Sequence, residues 1–287
     1  MDLLQIWLIF ILFLAGISVG SFINAFEYRL FTKKDFVKAR SHCPKCKHTL
    51  KAIDLIPLLS FVLIRGKCRY CGTKVSWQYP IIEFLSGTLF LASGCYVLSR
   101  MHIQGVSDTL LMLSISTFLA IILDLFLFFA LYDVKHKIVP NKVVVPSIVI
   151  ALLFNLLFAL GMHLAPNLVF WTVWGEFNVL WNMLSAILGG FFIIFIIYIT
   201  KGRGMGGGDL KLIVFMGLIL GWKKLLLAFY IAVITGSIVG IIWGIYKRKL
   251  RGLKLPFALF LAIGSIFAIL WGDYLFDTYF GMIGVYR

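Results

Sequence analysis

The chain has 287 residues, of which 61% are apolar and 14% charged, against about 45–50% and about 25% in an average soluble domain. That balance excludes an ordinary soluble enzyme and a disordered tail, and five Cys are too sparse for a secreted disulfide scaffold. Yet 27 Lys and Arg stand against 12 Asp and Glu, a net charge of +15, which fits either nucleic-acid binding or the cytoplasmic side of a membrane protein.

A hydrocarbon core about 30 Å thick needs roughly 20 apolar residues in a helix. In chain order, Leu3 to Phe26 carries no charge. It lacks a basic lead-in and a small-residue cleavage site, so it is expected to be a retained helix rather than a signal peptide. Pro80 to Ser99 carries only Glu83, and Thr109 to Tyr132 only Asp124. Val143 to Gly175 is uncharged, with Pro146 and Pro166 expected to shorten its helix. Phe177 to Thr200, Leu225 to Tyr246 and Leu255 to Gly272 follow without charge. A short piece, Leu212 to Trp222, lies between Lys211 and Lys223. The fold class expected is an all-α polytopic membrane protein of about eight transmembrane helices, with a small module between helices 1 and 2.

The cations then acquire a meaning. Residues 27–79 hold 12, residues 133–142 hold 3, residues 201–211 hold 3 and residues 247–254 hold 5. Eight alternating crossings put all four segments on one side, leaving Arg100, Lys223, Lys224 and Arg287 on the other. The positive-inside rule makes the basic loops cytoplasmic and both termini external. Anionic lipid headgroups are the expected partners of these loops, and nucleic acid is not. Three parts follow: a first helix at 1–26, a cytosolic module at 27–79 and a transmembrane part at 80–287.

Within the module, Cys43-Pro-Lys-Cys46 and Cys68-Arg-Tyr-Cys71 form C-x2-C-x21-C-x2-C. Two such knuckles place four thiolates around a tetrahedral Zn²⁺. The competing reading, a pair of disulfides, conflicts with a reducing cytoplasmic loop. Four thiolates leave no open coordination position, so the zinc is expected to be structural. His42 and His48 flank the first knuckle and read as solvated loop residues. Cys95, in an apolar helix, reads as a small core residue.

Acidic residues near membrane helices are costly and functional by default. Asp133 ends the third segment. Asp209 follows a loop, Gly202 to Gly208, with five glycines in seven residues. That loop lacks a preceding strand and a following Gly-Lys-Ser/Thr, so it is not a nucleotide-binding loop. A flexible hinge would explain the glycines but not an Asp at a helix start. Two adjacent carboxylates can hydrolyse a peptide, one taking a proton from water and the other giving one to the carbonyl oxygen. Asp209 sits at a helix N-terminus, which favours a carboxylate, and Asp133 near a C-terminus, which favours the acid. Asp209 is therefore expected as base and Asp133 as acid.

These pieces together resemble the type IV prepilin peptidases, membrane aspartic proteases with a GxGD motif. Gly20-Ser-Phe-Ile-Asn24 with Tyr28-Arg29 resembles the family's first-helix exit. The four Cys, Ile56-Pro-Leu-Leu-Ser60 and Arg65-Gly-Lys-Cys68 resemble its zinc-bearing domain. Tyr79-Pro80 to Glu83-Phe84-Leu85 resembles the start of its second helix. Asp133 with Pro140 and Gly204-Met-Gly-Gly-Gly-Asp209 match its two catalytic motifs, and Leu255-Pro-Phe257 with Gly264 its last helix. Departures include Glu27 and Phe31 in the exit, Asn141 after Pro140, and Ala258-Leu259 in place of Gly-Pro. Asp124 belongs to neither motif and reads as a packing or polar-network residue.

The resemblance implies cleavage of prepilin or pseudopilin precursors after a Gly at the cytoplasmic face of a bacterial inner membrane. It also implies N-methylation of the new N-terminus from S-adenosylmethionine, with Asn24, Arg29 and Glu83 as candidates for that site. A peptidase without methylation is the nearest alternative. A transporter with intramembrane carboxylates would show an internal helix repeat, and the sequence has none.

Overall fold

The computed structural model describes residues 3–33, 35, 40–101, 105–164, 178–202, 205–248 and 255–283. Pro166, Gly204, Arg287 and residues 249–254 of the last basic loop lie outside the described residues. The described chain is helical: α1 (Leu3–Thr32), a 3-10 turn (Ala52–Leu55), α2 (Leu59–Leu63), α3 (Gln78–Leu98), α4 (Val106–His136), α5 (Asn141–Leu164), α6 (Val179–Ile199), α7 (Gly207–Tyr246) and α8 (Phe257–Ile283). The only extended pairing among the described residues is two isolated bridges, His42 with Thr49 and Lys67 with Lys74. Seven helices, all but α2, are long and apolar enough to cross a membrane. The protein is a multi-pass membrane protein, and the chain divides into two compact units, 1–128 and 129–287.

In the first unit α1 packs on α3 through small residues. A side-chain carbon at Gly16 would lie 2.8 Å from the Cα of Gly87, and one at Gly20 2.7 Å from the Cα of Glu83. Only a glycine surface allows backbones this close, the usual device where lipid removes any hydrophobic drive between helices. The Ser86 hydroxyl lies 2.7 Å from the Gly16 carbonyl and 2.6 Å from Asp124 Oδ2. Asp124 thus joins a buried polar tie between α1, α3 and α4, as its position outside the motifs suggested.

In the second unit, α7 is where the sequence demanded two helices. Forty residues would run about 60 Å, twice the hydrocarbon core. The chain breaks at Gly221, with φ 68° and ψ 177°, a conformation open to glycine and costly to other residues. The limbs Gly207–Leu220 and Trp222–Tyr246 fold back on one another. A side-chain carbon at Gly189 of α6 would lie 3.0 Å from Ile213 and 3.2 Å from Leu225, one from each limb. In a straight helix those two would be about 18 Å apart. The predicted short crossing at Leu212–Trp222 therefore falls on the first limb, which ends two residues before Trp222.

Breaking a helix inside a membrane strands carbonyls that water cannot reach. Ser185 donates to the Gly217 carbonyl (2.8 Å) and Asn155 to the Leu218 carbonyl (2.9 Å), while Asn182 donates to Asn155 Oδ1 (3.3 Å). Just past the break, Lys224 pairs with Asp273 of α8 at 2.8 Å. Asn155→Leu should lower stability by about 1–2 kcal/mol, the cost of leaving a buried carbonyl unpaired. A thermal unfolding series in detergent checks this, with Leu156→Ala on the exposed face as the mild control.

Candidate active site

The two aspartates arrive from different helices. Asp133 lies on the last turn of α4, which ends at Lys137 in a left-handed conformation (φ 56°). Asp209 is the third residue of α7, and its Oδ2 accepts the Gly206 N–H at 3.1 Å, the carboxylate half of a capping box. The α4–α5 connection packs on the glycine loop. A side-chain carbon at Gly208 would meet Val139 Cβ and Cγ2 at 3.1 Å. Lys211 donates to Asn141 Oδ1 at 2.6 Å, closing the same seam. The Asp209 carboxylate is near enough to act electrostatically on that of Asp133. The structure therefore brings the two sequence motifs to one place.

A third helix end meets them there. Ala258 N–H donates to Asp133 Oδ2 at 3.0 Å. Pro256 stands before the first residue of α8 and offers no capping side chain. Asp133, 125 residues earlier in the chain, supplies the missing cap. Asp133 is 6% exposed, so this bond is sheltered. It also changes the electrostatic argument. Asp133 faces the C-terminus of its own helix and the N-terminus of α8, so helix-end polarity no longer separates the two carboxylates.

Gly208→Ala should move Val139 by a few tenths of an ångström and slow any reaction at the pair by about tenfold, since misplacement of about 1 Å costs about a hundredfold. Unchanged kcat/KM would show that the seam does not set the geometry.

The thiols lie in the first unit. The Sγ atoms of Cys43, Cys46, Cys68 and Cys71 all fall within 4.8 Å of one another, a group that could hold a metal ion. Cys43 and Cys71 are 3.9 Å apart. A tetrahedron of thiolates at about 2.3 Å from Zn²⁺ has edges of about 3.8 Å, so the donor set fits by chemistry and by spacing. The two knuckles are built alike. Cys43 N–H bonds the His48 carbonyl and Cys68 N–H the Thr73 carbonyl, and the fourth residue after each first Cys has positive φ, Lys47 (61°) and Gly72 (68°). Amide donors in these turns favour thiolate. The Cys46 amide holds Cys43 below the ordinary thiol value, and the Thr73 hydroxyl and amide draw Cys71 down to about 6. Although the His48 amide donates to Cys46, burial and the neighbouring Cys43 and Cys71 sulfurs push it up to about 11. Neither His joins the cluster. His48 stacks on Tyr70 at 3.7 Å between ring centroids, and His42 Nδ1 lies 3.2 Å from the Arg40 carbonyl. Asp54 ties the 3-10 turn to the second knuckle, bonding Tyr70 (2.9 Å) and pairing with Arg69 (3.3 Å).

Asn24 and Glu83 both lie at the α1–α3 junction. Asn24 Nδ2 donates to the Tyr79 and Gly20 carbonyls, each at 3.2 Å, and Gln78 donates to its Oδ1 at 3.1 Å. Glu83 accepts the Leu58 N–H at 2.7 Å. Glu27, one turn beyond Asn24, is 2% exposed. Arg29 is half-buried at the end of α1. Nothing in the sequence marks Gln78 or Leu58 as partners of Asn24 and Glu83. The Leu58 contact runs through a backbone N–H, which leaves no residue-type signal.

Comparison with known proteins decides the family. A model of the Bacterial Peptidase A24 N-terminal domain matches residues 14–97, and one of the Type IV leader peptidase family matches residues 120–241. A Bacillus subtilis (strain 168) protein named prepilin leader peptidase/N-methyltransferase is 32% identical over 249 residues, 86% of this chain and 88% of its own. This chain belongs to the type IV leader peptidase family. Proteins of the same name from Myxococcus xanthus (31% identical, 80% of this chain, 62% of theirs) and Neisseria gonorrhoeae (30%, 85% and 83%) are also similar to this leader peptidase. No solved structure matches it significantly. The first matched region holds Asn24, Arg29, Glu83 and the four Cys, and the second holds both aspartates.

Proposed function

We propose that Asp133 and Asp209 are the carboxylates with which this leader peptidase cuts prepilin-like precursors after a Gly. The observation that carries this reading is the convergence of the two motifs, with Gly208 against Val139 and both carboxylates in electrostatic reach. Two carboxylates brought together resist full ionisation, and a pair of this kind shares a proton. The ionised member takes a proton from water as water attacks the carbonyl, and the protonated member gives its proton to the carbonyl oxygen. Asp209 as base and Asp133 as acid is one microstate of that pair, and the pair is the acid–base unit. The Ala258 amide keeps Asp133 aimed throughout. Pseudopilins, with the same kind of leader, are substrates of the same class.

Cys43, Cys46, Cys68 and Cys71 are assigned to a structural Zn²⁺, on their spacing and soft donor set. Its chemistry is cross-linking, since a closed thiolate set has no position for water. S-adenosylmethionine would supply a methyl group to the new N-terminal amine. Asn24, Arg29 and Glu83 are proposed for its neighbourhood. Support comes from the buried carboxylates Glu27 and Glu83 along the α1–α3 junction, which suit a positive sulfonium. The working parts are a first helix at 1–26, a cytosolic module at 27–79 and a membrane catalytic part at 80–287. The basic loops are assigned to the cytoplasmic face, against anionic headgroups, and both termini to the other side, on the distribution of Lys and Arg.

One assay tests the whole reading. Purified enzyme is incubated with a prepilin and S-adenosylmethionine, and the product is weighed by mass spectrometry. A leaderless product heavier by one methyl is expected. An uncut precursor would reject the peptidase assignment. A cut but unmethylated product would leave the peptidase alone.

A further inference from the structure

Outside the membrane-spanning helices, one stretch of the first unit presents apolar side chains outward. Ile53, Leu55, Ile56, Leu59, Val62 and Leu63 are all exposed, Val62 at 68% and Leu63 at 61%. Basic residues flank them, with Lys51 before and Arg65 and Lys67 after, each exposed. Such a face needs an occupant. Its height relative to α3 says which one.

Two contacts fix that height. The Leu58 N–H donates to Glu83 Oε2 at 2.7 Å, and Glu83 is the sixth residue of a helix long and apolar enough to cross a membrane. Five rises of about 1.5 Å put it about 7.5 Å beyond the start of that helix. The aromatic residues at that start, Trp77 (70% exposed) and Tyr79 (39%), are of the type that sits at the headgroup level. Phe61 of α2 packs on Trp77 at 5.0 Å between ring centroids. A helical side chain leans toward the start of its helix, so the backbone at Leu58 lies between the level of Glu83 and the aromatic level, and α2 lies against the aromatic level through Phe61. Leu58 itself has φ 60° and ψ −51°, an unfavourable conformation for a branched residue. The Glu83 bond holds it in place.

We propose that residues 53–63 are an interfacial element, lodged at the boundary of headgroups and acyl chains and resting on anionic lipid. The apolar side chains enter the acyl region, while Lys51, Arg65 and Lys67 stand at the phosphate level. The thiol module is thereby held at the membrane surface next to the start of α3. Glu83 acts here as the positioning residue.

The test uses the full-length protein in nanodiscs containing phosphatidylglycerol. A benzophenone amino acid is placed at Val62 or, separately, at Leu59, and prepilin cleavage confirms that each variant is folded. Irradiation without prepilin should give protein–lipid adducts at both positions and few at Lys45, on the first knuckle. Exchanging phosphatidylglycerol for phosphatidylcholine should lower the yield several-fold. Adducts that form only when prepilin is present would give the face to the substrate and overturn the proposal. Yields no higher than at Lys45 would do the same, because the face would then look into water. A yield indifferent to lipid charge would overturn the anionic part.

Discussion

Asp133→Asn and Asp209→Asn are each expected to lower leader cleavage by about 10³-fold or more, because each leaves a pair that cannot both take and give a proton. The double variant should be no worse than either single, since the two act as one unit. Asn is the informative choice at 133. Its Oδ1 still accepts the Ala258 N–H, so the cap on α8 survives and the chemistry alone is removed. Asp133→Ala removes both and should cost an additional amount of stability, about 1 kcal/mol. Methylation of a peptide that already lacks its leader should persist in both Asn variants, because the residues assigned to methyl transfer belong to the other unit. The measurement is kcat/KM on a prepilin, paired with unfolding temperature. If one Asn variant kept a tenth of the activity, two-aspartate catalysis would be wrong for this enzyme.

The sequence made some of this architecture legible and hid the rest for physical reasons. Uncharged runs of about 20 residues have one stable fate in a bilayer, so the long helices could be read directly. That residues 207–246 hold two helices could be read too, because Lys211 and Lys223 left only a short apolar stretch between them, but Gly221 as the place of the break could not. Asp209 stood out by following five glycines, and the thiols by their spacing. The role of Ala258 could not be read. It acts through a backbone N–H that every residue but proline has, and its partner lies 125 residues away. Leu58 is hidden in the same way, since Glu83 recognises its amide and not its side chain. The five residues of α2 are too few to show a period. Asn155 did leave a trace, being a polar side chain in an apolar run, but the carbonyl it serves exists only because α7 breaks.

Cys68→Ser should release the metal and unfold the module it closes. Zinc content is expected to fall from about one ion per chain to near none, because a serine hydroxyl is a poor replacement for a thiolate. The module has little else to hold it. Beyond the thiols, its knuckles meet through His48 on Tyr70, Asp54 ties the 3-10 turn to the second knuckle through Arg69 and Tyr70, and the apolar side chains of residues 53–63 face outward. The Asp54–Arg69 pair, with Arg69 45% exposed, contributes about 1 kcal/mol, whereas a structural zinc site binds with about 10–16 kcal/mol. Loss of one ligand therefore removes most of what orders residues 43–71. Methyl transfer should be lost, as its proposed residues border this module. Cleavage should fall less, because the seam between Val139 and Gly208 lies within the other unit. Metal analysis of wild type and variant, with both activities measured on one preparation, separates these outcomes. Equal zinc in both proteins would reject the site. Equal loss of both activities would mean that the module also serves the peptidase.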